Sequence, residues 1–223
     1  MGCYSSSGRM AYISATAACN VSLEVWSCWV ICCAIASMSA ETASTFNECV
    51  VMASAINKAA DDAEKLALIE SQLQDATQII CDIYSRFRFE KSVFEKRPEE
   101  FMHADTLCSL MLDAQKASYG DGLDPETLHP YMWVCKGHYY GPTFYNFPYA
   151  FGGLFARGLY AQYEQEGEAF IPKYNKLLYT TPIATAEDVA KVADIDLTDK
   201  AFWRGALQTI ADQIDLFCQL VEE

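Results

Sequence analysis

The sequence is poor in histidine, in basic residues, and in the glycine and proline that most often interrupt helices. Its 223 residues include three histidines, 16 lysines and arginines against 30 aspartates and glutamates, 11 glycines and seven prolines. The net charge of −14 argues against nucleic acid or an anionic membrane as a partner, because both are polyanions and would repel the chain. Histidine is absent before His103, so the preceding residues offer no imidazole ligand to a metal.

Cysteine, in contrast, is abundant, with ten residues of which most lie early in the chain. Secreted disulfide scaffolds are short and rich in loops, whereas this chain is long and rich in helix formers. We therefore expect free thiols, most of them buried. Cys28 and Cys32 would share one face of a helix, but a metal site there lacks further convincing ligands.

The first 40 residues differ in composition from the rest, because Arg9 and Glu24 are their only charged side chains. Three interpretations stay open. A signal peptide would use the apolar run at residues 25–36 and the small residues that follow it. A transmembrane helix over residues 21–40 is disfavoured by Glu24 and several serines. The third interpretation is an out-of-frame or truncated replacement for another segment.

We divide the chain into an atypical N-terminal segment, residues 1–38, and a helical domain, residues 39–223. From Glu41 to about Lys96 apolar residues recur at three- and four-residue steps without glycine or proline, which predicts long helices. A further helical run leads to Ser118. The pattern predicts an all-α fold.

The middle of the chain contains the main predicted loop, at Tyr119–Pro125, where glycine, aspartate and proline are concentrated. An aromatic segment follows as far as Tyr149, and helical periodicity returns from Ala150. Thr185 precedes acidic residues in the pattern of a helix N-cap. A last amphipathic helix is predicted after Asp199.

Two sets of polar residues could support chemistry. Glu41 and Glu48 lie two helical turns apart and so project to one face, which can serve a metal or simply face solvent. His138, Tyr145 and Tyr149 lie in a segment bounded by glycine and proline. An imidazole or phenol there could donate a hydrogen bond to an oxygen that gains negative charge. The alternative is aromatic packing with satisfied hydroxyls.

Several short motifs carry a resemblance to a known family. They are Ala40-Glu41-Thr42-Ala43-Ser44-Thr45-Phe46-Asn47-Glu48, Tyr119-Gly120-Asp121-Gly122-Leu123, His129-Pro130-Tyr131-Met132-Trp133, His138-Tyr139-Tyr140 and Phe144-Tyr145-Asn146-Phe147-Pro148-Tyr149-Ala150-Phe151-Gly152. In this order and spacing the sequence resembles the oligoendopeptidase F branch of the thimet-oligopeptidase-like zinc metallopeptidases. The resemblance implies the C-terminal portion of a helical zinc-metallopeptidase catalytic domain with a Gly/Tyr-rich substrate loop, so that residues 39–223 form a partial domain.

The resemblance also implies roles for individual residues. Glu41 matches the glutamate that binds zinc together with two histidines of a His-Glu-x-x-His helix. His138, Tyr145 and Tyr149 match the groups that stabilise the tetrahedral oxyanion. Four further residues are implied to lie near substrate: Gly120 and Gly122 in a mobile loop, and Tyr139 and Tyr140.

The sequence departs from the family at the zinc-binding helix. No His-Glu-x-x-His motif precedes Glu41, and Glu24 is the only earlier carboxylate. Because a lone carboxylate binds zinc weakly, we expect these 223 residues not to hydrolyse peptides by themselves. By resemblance the protein is expected to be cytoplasmic, to have short peptides as substrates, and to have neither nucleic acid nor membrane as a partner. The alternative function is a helical protein that binds peptides without cleaving them.

Overall fold

The computed structural model describes residues 35–141 and 144–222, and within these ranges it contains helices and no strands. The first helix, α1, spans Ile35–Lys58, and α2 spans Asp62–Thr77. The break between them uses polar caps. Asp61 accepts a hydrogen bond from the Glu64 amide at 2.9 Å, and Glu64 Oε2 accepts one from the Ala60 amide at 2.7 Å. These bonds satisfy free amides at the start of α2 without glycine or proline.

One continuous helical rod continues from α2 into α3. The wide π turn Gln78–Asp82 joins α2 to α3, which spans Ile83–Lys96. Helix α4 spans Ala104–Tyr119 and ends at Gly120, whose φ of 58° favours glycine. The predicted long helices before Ser118 are therefore confirmed, although residues 99–103 lie outside them.

The loop predicted at Tyr119–Pro125 is confirmed and opens a stretch of short helical turns. Its elements are the 3-10 turn Pro125–Thr127, α5 at Met132–Cys135 and the 3-10 turn Gly137–Tyr140. The remaining elements are α6 at Phe147–Glu166, the 3-10 turn Gly167–Phe170, α7 at Ile171–Thr180, α8 at Ala186–Val192 and α9 at Lys200–Glu222. The Thr185 hydroxyl accepts from the Asp188 amide at 3.2 Å, which confirms the predicted cap of α8.

Helix α6 is central to the domain, since it packs against both α1 and α9. Its buried face joins a large aromatic core cluster that includes Phe46, Phe151, Phe155, Phe170, Tyr174 and Trp203. Two glycines allow the close approach. A Cβ at Gly152 would lie 2.9 Å from the Glu41 Cβ, and one at Gly158 would lie 2.3 Å from the Phe202 ring. A larger residue at either position would therefore force a neighbouring side chain or helix to shift.

Two predictions about the N-terminal region remain predictions. The boundary placed at residues 38 and 39 falls inside α1, while residues 1–34 and the Cys28–Cys32 pair lie outside the described ranges. Among the described helices, none is long and apolar enough to cross a membrane. Among the described cysteines, Cys49, Cys108, Cys135 and Cys218 are free thiols, as expected. Cys49 is buried, Cys108 and Cys218 are half-buried and Cys135 is exposed, so these four do not bear out the expectation that most of the thiols are buried.

Candidate functional site

Three of the residues implied in catalysis form one cluster of rings. His138 is in the 3-10 turn Gly137–Tyr140, and Tyr145 lies just before α6. The His138 ring stacks on Tyr145 with centroids 5.7 Å apart, and Tyr149 meets His138 at 5.8 Å and Tyr145 at 5.9 Å, both edge to face. Tyr149 is in the first turn of α6, because that helix begins three residues before the predicted Ala150. We call these three residues the ring cluster.

Glu41 lies beside the ring cluster. It is half-buried where α1 crosses α6 at Gly152, one turn beyond Tyr149. Burial, the Tyr145 hydroxyl and the negative charge of Glu41 raise the pKa of Tyr149, whereas the Arg86 charge lowers it. The structure therefore brings four of the predicted residues together. Glu48, in contrast, is exposed and accepts a hydrogen bond from Ser44 Oγ at 3.3 Å.

The chemistry open to this cluster is hydrogen-bond donation. A raised pKa keeps the Tyr149 hydroxyl protonated at neutral pH, so that it can donate a hydrogen bond. The His138 Nδ1 atom is buried and has no hydrogen-bond partner among the described residues. Because an imidazole nitrogen can accept or donate according to its tautomer, the ring is free to serve a polar group of a bound molecule.

A zinc ion does not fit the described residues by themselves. Within the described ranges no three or more histidine, cysteine, aspartate or glutamate side chains are grouped so that they could hold a metal. A protein zinc site takes at least three such ligands, and Glu41 supplies one.

The other predicted residues divide between a cavity and the surface. Gly120 and Gly122 belong to the turn that connects Tyr119 to Leu123. Tyr119 and Leu123, together with Tyr139, line a cavity of about 210 Å³. The Tyr139 ring packs edge to face on Phe89, with centroids 5.2 Å apart. Tyr140 does not line this cavity. It is 67% exposed, and its hydroxyl donates to the Trp133 carbonyl oxygen at 3.1 Å.

Charged residues of α3 that the sequence analysis missed hold the segment carrying Tyr145. The Phe144 amide donates to Glu90 Oε1 at 2.7 Å, and Arg86 Nη1 donates to Asn146 Oδ1 at 3.2 Å. Phe144 has a φ of 54°, an uncommon conformation for a residue with a side chain. Tyr145 is thus fixed on both sides by buried polar groups.

A sequence signal for this network exists. Asp82, Arg86 and Glu90 recur at four-residue steps on an otherwise largely apolar stretch, and such spacing places charges on one face of a helix. Arg86 and Glu90 are each only 6% exposed, and Arg86 forms an ion pair with Asp82. Charged residues on a helix face that is otherwise apolar therefore indicate a buried polar network.

The burial of Glu90 gives a pH prediction. Burial raises the pKa of Glu90, and its bond from the Phe144 amide lowers it by less. The folded state therefore holds the proton to higher pH than the unfolded state, so the stability contribution of Glu90 falls as pH rises from about 4.5 towards the raised value. We expect the stability of Glu90→Gln, relative to the natural protein, to increase between about pH 4 and pH 7.

Urea unfolding of both proteins at several pH values in this window measures the effect. Glu100→Gln is the matched control, because Glu100 is exposed just beyond the end of α3. The prediction is wrong if the stability difference between Glu90→Gln and the natural protein is the same at every pH, or if Glu100→Gln changes as much.

Comparison with known proteins supports the resemblance found in the sequence. No protein-family model matches the chain. Oligopeptidase PepF of Bacillus subtilis (strain 168) is 25% identical over 177 residues, a stretch covering 79% of this chain and 26% of that protein. The crystal structure of oligoendopeptidase-F from Enterococcus faecium matches with a TM-score of 0.71 and 18% identity, over 81% of this chain and 35% of that chain.

These comparisons bear on two of the predictions. The all-α fold is confirmed by the similarity to the oligoendopeptidase-F structure. The predicted resemblance to this group of peptidases is confirmed by the similarity in sequence and in structure. The chain spans 26% of the length of its curated relative and 35% of the solved structure.

Proposed function

We propose that this chain, which resembles the C-terminal part of an oligoendopeptidase F-like peptidase, supplies the peptide-binding and oxyanion-stabilising side of a zinc metallopeptidase site. The observation that carries the proposal is the ring cluster, in which His138, Tyr145 and Tyr149 meet with centroids no more than 5.9 Å apart beside Glu41. The rings come from one stretch of the sequence, residues 138–149, and Glu41 from another. Packing alone would not require all three side chains to carry a polar group.

In this proposal the ring cluster receives the carbonyl oxygen of a peptide. The two phenols donate hydrogen bonds to that oxygen, and the imidazole N–H of His138 donates a third. Donors held rigidly before the substrate arrives stabilise the negative charge that develops on the oxygen. Arg86 and Glu90 contribute by fixing the segment that carries Tyr145.

Glu41 in turn occupies the position of a zinc ligand, and the two histidines that would complete the site are not among the 223 residues. We therefore expect the chain by itself to show no chelator-sensitive cleavage of a quenched fluorescent peptide, even with added zinc. Tight stoichiometric zinc binding together with such cleavage would show that this prediction of inactivity is wrong.

Peptide binding is the positive test. Calorimetric titration with short peptides should detect binding to the natural chain, and Tyr145→Phe and Tyr149→Phe should each weaken it about 3- to 10-fold, because each removes one neutral hydrogen bond. Tyr179→Phe is the control, since Tyr179 lies 83% exposed on α7. A normally folded chain that binds no short peptide, or variants that bind as well as the control, would contradict the proposal.

A second candidate function is peptide binding without any cleavage. It is favoured by how the cluster is held, since the segment carrying Tyr145 is anchored by Glu90 and Arg86 and the rings contact one another. None of these contacts depends on a metal. Peptide binding that is unchanged by zinc would favour this second function over the first.

A further inference from the structure

A second polar site lies next to the ring cluster, in the cavity of about 210 Å³ between α3, α4 and the turns around α5. Arg86 reaches it from α3, Gln115 and Tyr119 from α4, and Lys136 and Tyr139 from the segment that follows α5. Residues of the cavity wall are covalent neighbours or hydrogen-bond partners of residues in or next to the ring cluster. Tyr139 directly follows His138, and Arg86 donates to Asn146, which directly follows Tyr145.

The charge on the cavity wall is opposite to that of the whole chain. Among the described residues of the lining, Arg86 and Lys136 are the cations and Asp82 is the acid, although the chain carries a net charge of −14. Asp82 is already paired, since it binds Arg86 and lies 4.0 Å from the Lys136 ammonium. These three lining residues together leave one positive charge, on a wall where the Arg86 side chain is only 7% exposed; the nearest further acid, Glu90, lies behind the lining and its charge also acts on Tyr139.

Two residues of the lining carry buried donor groups that lack partners. Arg86 Nε and the Tyr139 hydroxyl are buried and have no hydrogen-bond partner among the described residues. Burial raises the pKa of Tyr139, so its hydroxyl keeps its proton at neutral pH. Gln115 is satisfied, because its amide nitrogen donates to the Met111 and His129 carbonyl oxygens. Since unpaired buried donors cost free energy, the wall is short of an acceptor.

The volume limits the ligand to a small one. Pockets for drug-sized molecules measure roughly 300–1,000 Å³, so a cavity of about 210 Å³ suits one amino-acid residue. A carboxylate is the acceptor that a guanidinium binds best, because both groups are planar and can form paired charge-assisted hydrogen bonds.

We propose that this cavity binds a carboxylate, either the C-terminal carboxylate of a short peptide or that of a free amino acid derivative. The carboxylate accepts hydrogen bonds from Arg86 and the Tyr139 hydroxyl, and Lys136 adds a favourable charge. The inference rests on the proposed function, since a peptide whose C-terminus lies here has its preceding residues next to the ring cluster. The site would therefore select peptides by the number of residues between the free C-terminus and the peptide group that lies at the ring cluster.

The test compares three ligands by calorimetry: an N-acetyl tripeptide with a free C-terminal carboxylate, the same tripeptide as its C-terminal amide, and an N-acetyl amino acid. We expect the free acid to bind about 10- to 100-fold more tightly than the amide, since hydrogen bonds between charged groups are the strong ones. Tyr139→Phe and Lys136→Gln should each reduce this ratio, because each weakens binding of the free acid more than binding of the amide. Lys176→Gln is the control, because Lys176 is exposed on α7.

The outcomes separate this inference from the proposed function. Equal binding of acid and amide overturns the carboxylate site and leaves peptide binding intact. If neither tripeptide binds, the proposed function fails, and the N-acetyl amino acid then decides the inference: binding that Tyr139→Phe weakens supports a site for a free acid, and no binding overturns it. An unchanged ratio in both cavity variants also overturns it.

Discussion

Arg86→Met is expected to lower the free energy of unfolding by about 3–5 kcal/mol, the usual cost of removing one partner from a buried ion pair. The Arg86 side chain is 7% exposed and pairs with Asp82, whose side chain is 17% exposed. Without the guanidinium, the cation that remains near Asp82 among the described residues is Lys136, whose ammonium lies 4.0 Å away. The buried amide of Asn146 would lose its donor as well. Methionine fills a similar length, so the loss comes mainly from electrostatics and hydrogen bonding.

Chemical denaturation monitored by helical circular dichroism measures this loss. Arg88→Met is the matched control, because Arg88 is on the same helix, is more exposed and donates only to the Tyr84 hydroxyl at 3.0 Å. We expect it to cost less than about 1.5 kcal/mol. In the double variant with Asp82→Asn, the costs should not add, because neutralising Asp82 removes the unpaired charge. Equal losses for Arg86→Met and Arg88→Met would contradict the prediction.

Gly158→Ala is expected to destabilise the protein by about 1–3 kcal/mol, because it overfills a packed interface. A Cβ at this position would lie 2.3 Å from the Phe202 ring, whose movement is restricted by Phe155 and Trp203 with centroids 5.7 Å and 5.0 Å away. Either the ring must leave its place or α6 and α9 must separate. Both responses disturb the largest core cluster.

The matched control for this variant is Gly205→Ala on α9. A Cβ at Gly205 would meet no atom within 4 Å, and alanine in a helix is more favourable than glycine by about 0.5–1 kcal/mol. The same substitution should therefore shift the denaturation midpoint in opposite directions at the two positions. Two shifts of the same sign would show that helix propensity, rather than the contact with Phe202, decides the result.

Much of the fold follows from local patterns in the sequence. Apolar residues at three- and four-residue steps predict the helices, the concentration of glycine and aspartate predicts the turn at Tyr119–Pro125, and Thr185 is a cap that acts within four residues. The pattern separates one helical run that reaches Ile56 from another that begins at Leu66, and the structure breaks the helix at residues 59–61. The caps at this break have a sequence signal in Asp61 and Glu64. The Asp61 side chain accepts from the Glu64 amide at 2.9 Å, and the Glu64 side chain accepts from the Ala60 amide at 2.7 Å. The start of α6 was placed three residues too late because Pro148 was taken as the boundary of a loop. Proline is in fact favoured in the first turn of a helix, and Pro148 lies in the first turn of α6.

The candidate site is predictable only in part. The motifs that contain His138, Tyr145 and Tyr149 led to the residues of the ring cluster, and the roles assigned to them remain predictions. The anchoring network was missed, because Arg86 and Asn146 are 60 residues apart and Glu90 and Phe144 are 54 apart. No local periodicity links residues so distant, since their contact depends on how α3 packs beside α6.

The π turn at Gln78–Asp82 bears on how the chain could tolerate a change of length. In an α-helix each residue advances the direction of the side chain by about 100°, so losing one residue from the regular turns before Arg86 would swing Arg86 and Glu90 away from Asn146 and Phe144. A π turn has wider hydrogen-bond spacing than an α turn. Loss of one residue there would restore the ordinary pitch while the helices on either side stayed in phase. Between residues 62 and 90, a deletion at this turn is the one that leaves the anchors of Tyr145 facing their targets.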